Sequence, residues 1–216
     1  MKAELVGDIV QEGDTTVRAF LDALASEQPT PGGGGVAALT VSLGAALVSM
    51  TARLTIGRRK YADVEDAMRE VIERSELIRA EALGLIQDDS DAYGDLVKAF
   101  AMSGTTDAEK HTRRQALSAS ATKASLVPLR VGRLAAELIE IASVTVQVGN
   151  RNVISDAGAG AALARAAIRI CEMNIDANRT LVTEPAANDQ IECGLSVIRA
   201  ARDEADLPVE WVLERD

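Results

Sequence analysis

Three aspartates, Asp88, Asp89 and Asp91, stand in the middle of a segment that otherwise repeats an apolar residue every three or four positions. Solvent-facing helical acids account for most such groups. Asp89, however, falls four residues after Leu85 and four before Tyr93, on or near the inward face of the pattern. A carboxylate carried inward needs a hydrogen-bonding partner or a reaction to perform. Upstream lies the run Gly32-Gly33-Gly34-Gly35. Its glycines allow a tight turn between helices, or they aim backbone N–H groups at an anion on a helix N-terminus. The run lacks the Gly-Lys-Ser/Thr ending of a phosphate-binding loop and follows no strand pattern, so neither that loop nor a dinucleotide fingerprint is supported.

Arg58-Arg59-Lys60-Tyr61 is a basic cluster in an acidic chain. It reads either as cations complementing a helix C-terminus or as an anchor for a multiply anionic small molecule. Asn150, Asn152, Ser155 and Asp156 gather where a turn enters a helix, and capping by Ser155 or Asp156 accounts for much of that group. Asn174 and Asn178, one helical turn apart, place two amides on one face of a helix expected to be buried. His111 is the only histidine, and Cys171 and Cys193 are far apart, so no Ser–His, Cys–His or metal-binding constellation can be assembled. Chemistry then falls to carboxylates, Lys, Tyr and amides, with no metal expected.

The elements that must position these residues are helices. Asp14-Thr15-Thr16 precedes Val17, Phe20, Leu21 and Leu24, an amphipathic helix with an N-cap that ends near Ser26 before Pro29 and Pro31. The most apolar stretch, Val36 to Ile56, follows the glycines. A long helix is expected from Asp63 through Phe100, then a break at Ser103-Gly104-Thr105. Thr106 and Glu109 form a capping box for a second long helix running to Val148, which Pro128 should kink. An Ala/Gly-rich helix from Ala157 to about Leu181 and a last one from Pro185 complete the set, with Pro208 and Trp211 in an appended packing segment. No alternating run marks a strand. The expectation is an all-α fold over residues 1–216: a single-domain bundle of long antiparallel helices around a buried Gly/Ala-rich central helix.

Composition agrees. Apolar residues make up 47% of the 216 but aromatics only 2%, so the core must pack Ala, Leu, Ile and Val at close approach. A net charge of −10 argues against nucleic-acid binding. Two cysteines imply no disulfide framework, and a reduced, cytoplasmic setting is expected. The acidic stretch from Met1 to Asp14 is unlike a signal peptide. Val36 to Ile56 has the length of a membrane span, but its Arg53, Ser and Thr content favours a bundle core. Small residues at Ser42, Ala45, Ala46 and Ser49 allow close pairing of helices between subunits as well as within one, and a homodimer is expected.

The motifs are also collinear with those of a known family. Glu27-Gln28-Pro29-Thr30-Pro31-Gly32-Gly33-Gly34 followed by Val36-Ala37-Ala38-Leu39 resembles the opening motif of the formiminotransferase-cyclodeaminase family. Ile56-Gly57-Arg58-Arg59-Lys60-Tyr61 resembles its next motif. The stretch with Asp89 and Tyr93, Val127-Pro128-Leu129, the run from Gly149 to Gly158, and Asn174 with Asn178 fit the others, from about Thr15 to Ala205. The family usually carries Ser where this chain has Gly35. The resemblance implies an all-helical enzyme of one-carbon folate chemistry. That chemistry is hydrolysis of 5,10-methenyltetrahydrofolate to 10-formyltetrahydrofolate, or closure of 5-formiminotetrahydrofolate with loss of ammonia; a non-catalytic folate-binding protein is a further alternative. It implies no cofactor beyond the folate itself. Asp89, Asp156 and Lys60 become the candidate catalytic residues. Gly33, Gly34, Gly35, Arg58, Arg59, Tyr61, Asn150, Asn152, Ser155, Asn174 and Asn178 become candidate contacts to the substrate.

Overall fold

A computed structural model describes residues 16–214 of the chain. The reading of Met1 to Asp14 lies outside them. Helix α1 (Val17–Leu24) begins on Thr16, whose hydroxyl accepts the Ala19 N–H at 3.1 Å. Helix α2 (Gly33–Arg53) starts three residues earlier than the apolar run, so three of the glycines lie inside its first turn and Gly32 is the N-cap. A 3₁₀ segment (Arg59–Val64) leads into α3 (Glu65–Phe100), and the Thr106–Glu109 capping box opens α4 (Asp107–Val148). Then follow α5 (Ile154–Arg179), α6 (Pro185–Glu204) and α7 (Asp206–Leu213), the last being the appended segment around Pro208 and packing on α5 and α4. Every regular element among the described residues is helical.

α2 occupies the middle of the bundle, between α3 and α5. Three links show that α3 runs antiparallel to it: Gly35 to Asp89, the Ser42 hydroxyl to the Arg79 carbonyl, and the Ser49 hydroxyl to Glu76. α5 is antiparallel to it as well. The Thr51 hydroxyl donates to the Val153 carbonyl at the start of α5, while Gly33 lies against Asn174 near its end. The two helices cross at Gly44 and Gly160, where a Cβ on either would come within 3.0 Å of the other's carbonyl oxygen. Only glycine permits that approach, which is how a core nearly devoid of aromatics reaches interior packing density.

One expectation changes at this level. Neither Ser155 nor Asp156 caps α5. The helix already begins at Ile154, with Val153 at the cap position and no side-chain cap bond, because the preceding turn is closed from within by Asn150. α4 continues as one helix through Pro128. Proline has no N–H for the carbonyl four residues back, that of Ala124. The Asn178 side chain supplies the missing donor, its Nδ2 reaching the Ala124 oxygen at 3.1 Å.

The orientation of α5 is fixed from outside by a cluster that sequence reading overlooked. Glu172, 6% exposed, is paired with Arg169, Arg199 and Arg202 at 3.2, 2.9 and 2.7 Å, tying α6 to α5. Burial pushes its carboxyl up, and the three guanidiniums more than offset this, leaving it below the ordinary value.

α2 is long and apolar enough to cross a bilayer, yet 61% of its most apolar window is buried inside the bundle. The remainder is not scattered. Leu43, Met50 and Leu54, 52%, 38% and 39% exposed, follow one another at seven and four residues and form one apolar stripe along the helix.

Candidate functional site

The first turn of α2 meets α3 at Asp89 and α5 at Asn174. Three successive glycines leave this turn without side chains, and Gly32 at the cap position offers none either. Asp89 of α3 takes the place of the cap: its Oδ2 accepts the Gly35 N–H at 3.1 Å. A helix N-terminus carries partial positive charge, so a carboxylate is stabilised there. Gly34 makes the approach possible. A Cβ at that position would overlap both carboxylate oxygens of Asp89, whereas one at Gly35 would meet only Ile86 and Pro31 at 3.6 Å, ordinary contact.

Burial nevertheless dominates the electrostatics of Asp89. It pushes the carboxyl above its ordinary value, and the Gly35 N–H pulls it only part of the way back. The buried thiol of Cys171, on α5, is pushed up by burial first and by the charge of Asp89 second. Asn174, one turn further along α5, completes the wall. Its amide nitrogen is buried, has no hydrogen-bond partner, and lies 3.3 Å from where a Cβ of Gly33 would stand. Gly33 itself is exposed, so this junction of three helices reaches solvent beside it. A half-buried carboxylate of raised proton affinity next to an unengaged amide can move protons at a bound molecule.

Of the residues singled out from sequence, Asp89, Gly33, Gly34, Gly35 and Asn174 converge on this junction. Asn178 borders it on α5, but its nitrogen is spent on Ala124 of α4.

The rest lie at the other end of α2, ~30 Å away for 21 residues at the helical rise of 1.5 Å. There Asn150 is buried and tied three ways. Its backbone N–H donates to the Thr55 hydroxyl at 2.9 Å, its Nδ2 to the Leu54 carbonyl at 2.9 Å, and its Oδ1 accepts the Asn152 N–H at 3.2 Å. Asn150 therefore closes the C-terminus of α2, and its amide is structural. The Tyr61 hydroxyl accepts the Arg151 N–H at 3.0 Å, docking the basic cluster on the same turn. Arg58 Nε donates to the Leu54 carbonyl at 2.7 Å, and the Lys60 ammonium stands 5.5 Å from the Tyr61 ring centre. Arg58, Arg59, Lys60, Asn152 and Ser155 are exposed and Asp156 is half-buried. The expectation that Asp89, Asp156 and Lys60 meet in one cleft is thus not met within a single chain: antiparallel packing of α5 on α2 sends Asp156 and Asn174 to opposite ends. Among the described residues, no three His, Cys, Asp or Glu side chains group as a metal would require.

Comparison with known proteins places this arrangement. The profile of a family described as Formiminotransferase-cyclodeaminase matches residues 16–196. The chain is 42% identical to a methenyltetrahydrofolate cyclohydrolase of Methylorubrum extorquens over 166 residues, 77% of this chain and 80% of that one. It is 32% identical over 143 residues to the formimidoyltransferase-cyclodeaminase of Rattus norvegicus, covering 66% of this chain but 26% of that longer protein. The crystal structure of a formiminotetrahydrofolate cyclodeaminase from Thermotoga maritima superposes with a TM-score of 0.79 at 25% identity, covering 92% of this chain and 97% of the other.

Proposed function

The chain belongs to the formiminotransferase-cyclodeaminase family, and from that premise we propose that it hydrolyses 5,10-methenyltetrahydrofolate to 10-formyltetrahydrofolate. The observation that carries the reading is Asp89, a half-buried carboxylate of raised proton affinity held on the Gly35 N–H at the start of α2. The greater likeness to a cyclohydrolase, over most of both chains, favours hydrolysis over ring closure with ammonia loss.

The methenyl carbon bridges N5 and N10 as a cationic amidinium, already electrophilic. Hydration then needs a placed water and a base. Asp89 takes one proton from water as the oxygen bonds to carbon. It returns that proton to N5 as the C–N5 bond breaks, and the hydroxyl proton leaves as the formyl C=O forms. One water is consumed and one proton released. A carboxyl of raised proton affinity suits both transfers, and a positioned acid–base group contributes ~10²–10⁴-fold. The proposed reaction uses no cofactor beyond the folate and takes place in the cytoplasm.

The second cluster enters through a homodimer. The stripe Leu43–Met50–Leu54 runs along the C-terminal half of α2. A second copy laid antiparallel on it would bring Lys60, Arg58, Arg59 and Asp156 of one subunit towards Asp89 of the other. In that assembly the cations meet the glutamate tail of the folate. Loss of the near-ultraviolet absorbance of 5,10-methenyltetrahydrofolate, followed with purified protein, tests the activity. A folded protein that leaves the buffer rate unchanged would sink it, and ammonia release from the formimino substrate would point to the cyclodeaminase reaction instead.

A further inference from the structure

Asn174 has a buried polar group with nothing to do. Its Nδ2 is shut off from solvent and without a partner, a state that costs stability. Across from it stands Gly33, where a Cβ would lie 3.3 Å from the nitrogen, so no side chain of that residue covers it. Asn178, one turn away on the same face, shows how readily such an amide is engaged when the bundle needs it. Asn174 is therefore an unengaged donor beside the exposed Gly33.

Its place relative to Asp89 says what it is free for. Asp89 lies against Gly34 and Asn174 against Gly33, consecutive residues whose Cα atoms are ~3.8 Å apart. A small group seated over this pair has the carboxylate on one side and the amide N–H on the other. In the hydrolysis proposed above, the group beside Asp89 is the one-carbon unit, and the atom that gains negative character there is the oxygen delivered by water.

We propose that Asn174 is a catalytic residue that donates its Nδ2–H to the oxygen of the one-carbon unit, stabilising it as the tetrahedral adduct collapses to the formyl carbonyl. No proton is transferred in this contact: the amide keeps its hydrogen while Asp89 carries out the transfers. The assignment rests on the folate reading, and it makes Asn174 act on the reacting carbon, not on the pterin ring. Loss of one such donor lowers kcat by about 10²–10³-fold.

The test compares wild-type protein with Asn174→Ala and with Asn174→Leu, the second keeping side-chain volume should the first not fold. Steady-state hydrolysis of 5,10-methenyltetrahydrofolate is measured across pH. The expected result is a fall in kcat of about 10²-fold or more with KM little changed and the midpoint of the pH profile unmoved. If wild-type protein turns over and both variants keep its kcat, or only KM rises, or the pH midpoint moves without loss of kcat, the assignment is overturned while the hydrolase reading stands. Failure of wild-type protein to turn over removes that reading itself, and the assignment with it.

Discussion

The Gly35 N–H donates to the Asp89 carboxylate at 3.1 Å, and this bond is reached only because the neighbouring residue, Gly34, has no side chain. Two adjacent glycines therefore have different work. Gly34 clears the space that Asp89 fills, whereas Gly35 presents a backbone donor and has room for a Cβ.

That difference is measurable. Gly34→Ala should displace Asp89 and lower hydrolysis of the methenyl substrate by about 10²-fold or more, the scale of losing a placed base. Gly35→Ala and Gly35→Ser should keep activity. They should also raise stability by up to about 1 kcal/mol, because glycine is the poorer helix former. Parallel rate and thermal-melting measurements on the three variants decide it; equal loss at both positions would contradict the assignment of roles.

Asp89 should also weaken the fold that holds it. Burial raises its carboxyl pKa in the folded protein above the ordinary 3.8, so the folded state holds the proton more tightly than the unfolded chain. Stability from this group therefore falls as pH rises through that window, and the penalty is absent below the ordinary value. Asp89→Asn keeps an acceptor for Gly35 and removes the charge. Its urea midpoint should exceed that of wild-type protein at pH 7, with the gap closing as pH falls towards 3.8. A variant less stable than wild type at pH 7 would mean that the helix N-terminus outweighs burial.

Asn178 and Pro128 should behave as a pair. Asn178→Ala leaves the Ala124 carbonyl without a donor and should cost about 1–3 kcal/mol. In a Pro128→Ala background the restored N–H engages that carbonyl, and the same change should cost much less. A double-mutant cycle by chemical denaturation reads the coupling, expected at about 0.5–3 kcal/mol. Strict additivity would show that the Asn178 contact does not repair the proline.

Much of this was legible in the sequence. The helices announce themselves through periodicity, and Thr106 with Glu109 marks a boundary because capping is local chemistry. Asp89 was readable because its spacing from Leu85 and Tyr93 turns it inward. Asp156 was not separable from it, since which end of α2 it approaches depends on the direction of α5, a tertiary fact; Lys60 follows the C-terminus of α2 directly, and its distance from Asp89 depends on how far α3 runs back along α2. Asn150 and Asn178 look like ligand amides in sequence and prove to be committed to the carbonyls of Leu54 and Ala124, partners far away in the chain. The Glu172 cluster left only the Arg169 spacing as a local trace, as its other two arginines come from α6.

The proposed homodimer makes its own demand. Leu43→Asp or Met50→Glu should yield folded monomers by light scattering, with turnover lost because the basic cluster no longer reaches Asp89. Mixed dimers of an Asp89→Asn chain and a Lys60→Glu chain should regain activity that neither variant has alone. An active monomer would remove the second subunit from the site.

The central claim is that Asp89 moves the protons of folate hydrolysis. It is tested most directly by following 5,10-methenyltetrahydrofolate absorbance with wild-type and Asp89→Asn protein over a pH series. Wild-type kcat should rise with pH to a plateau, with a midpoint above 3.8, and Asp89→Asn should fall by ~10²–10⁴-fold while remaining folded. Wild-type turnover retained by Asp89→Asn at every pH would contradict it.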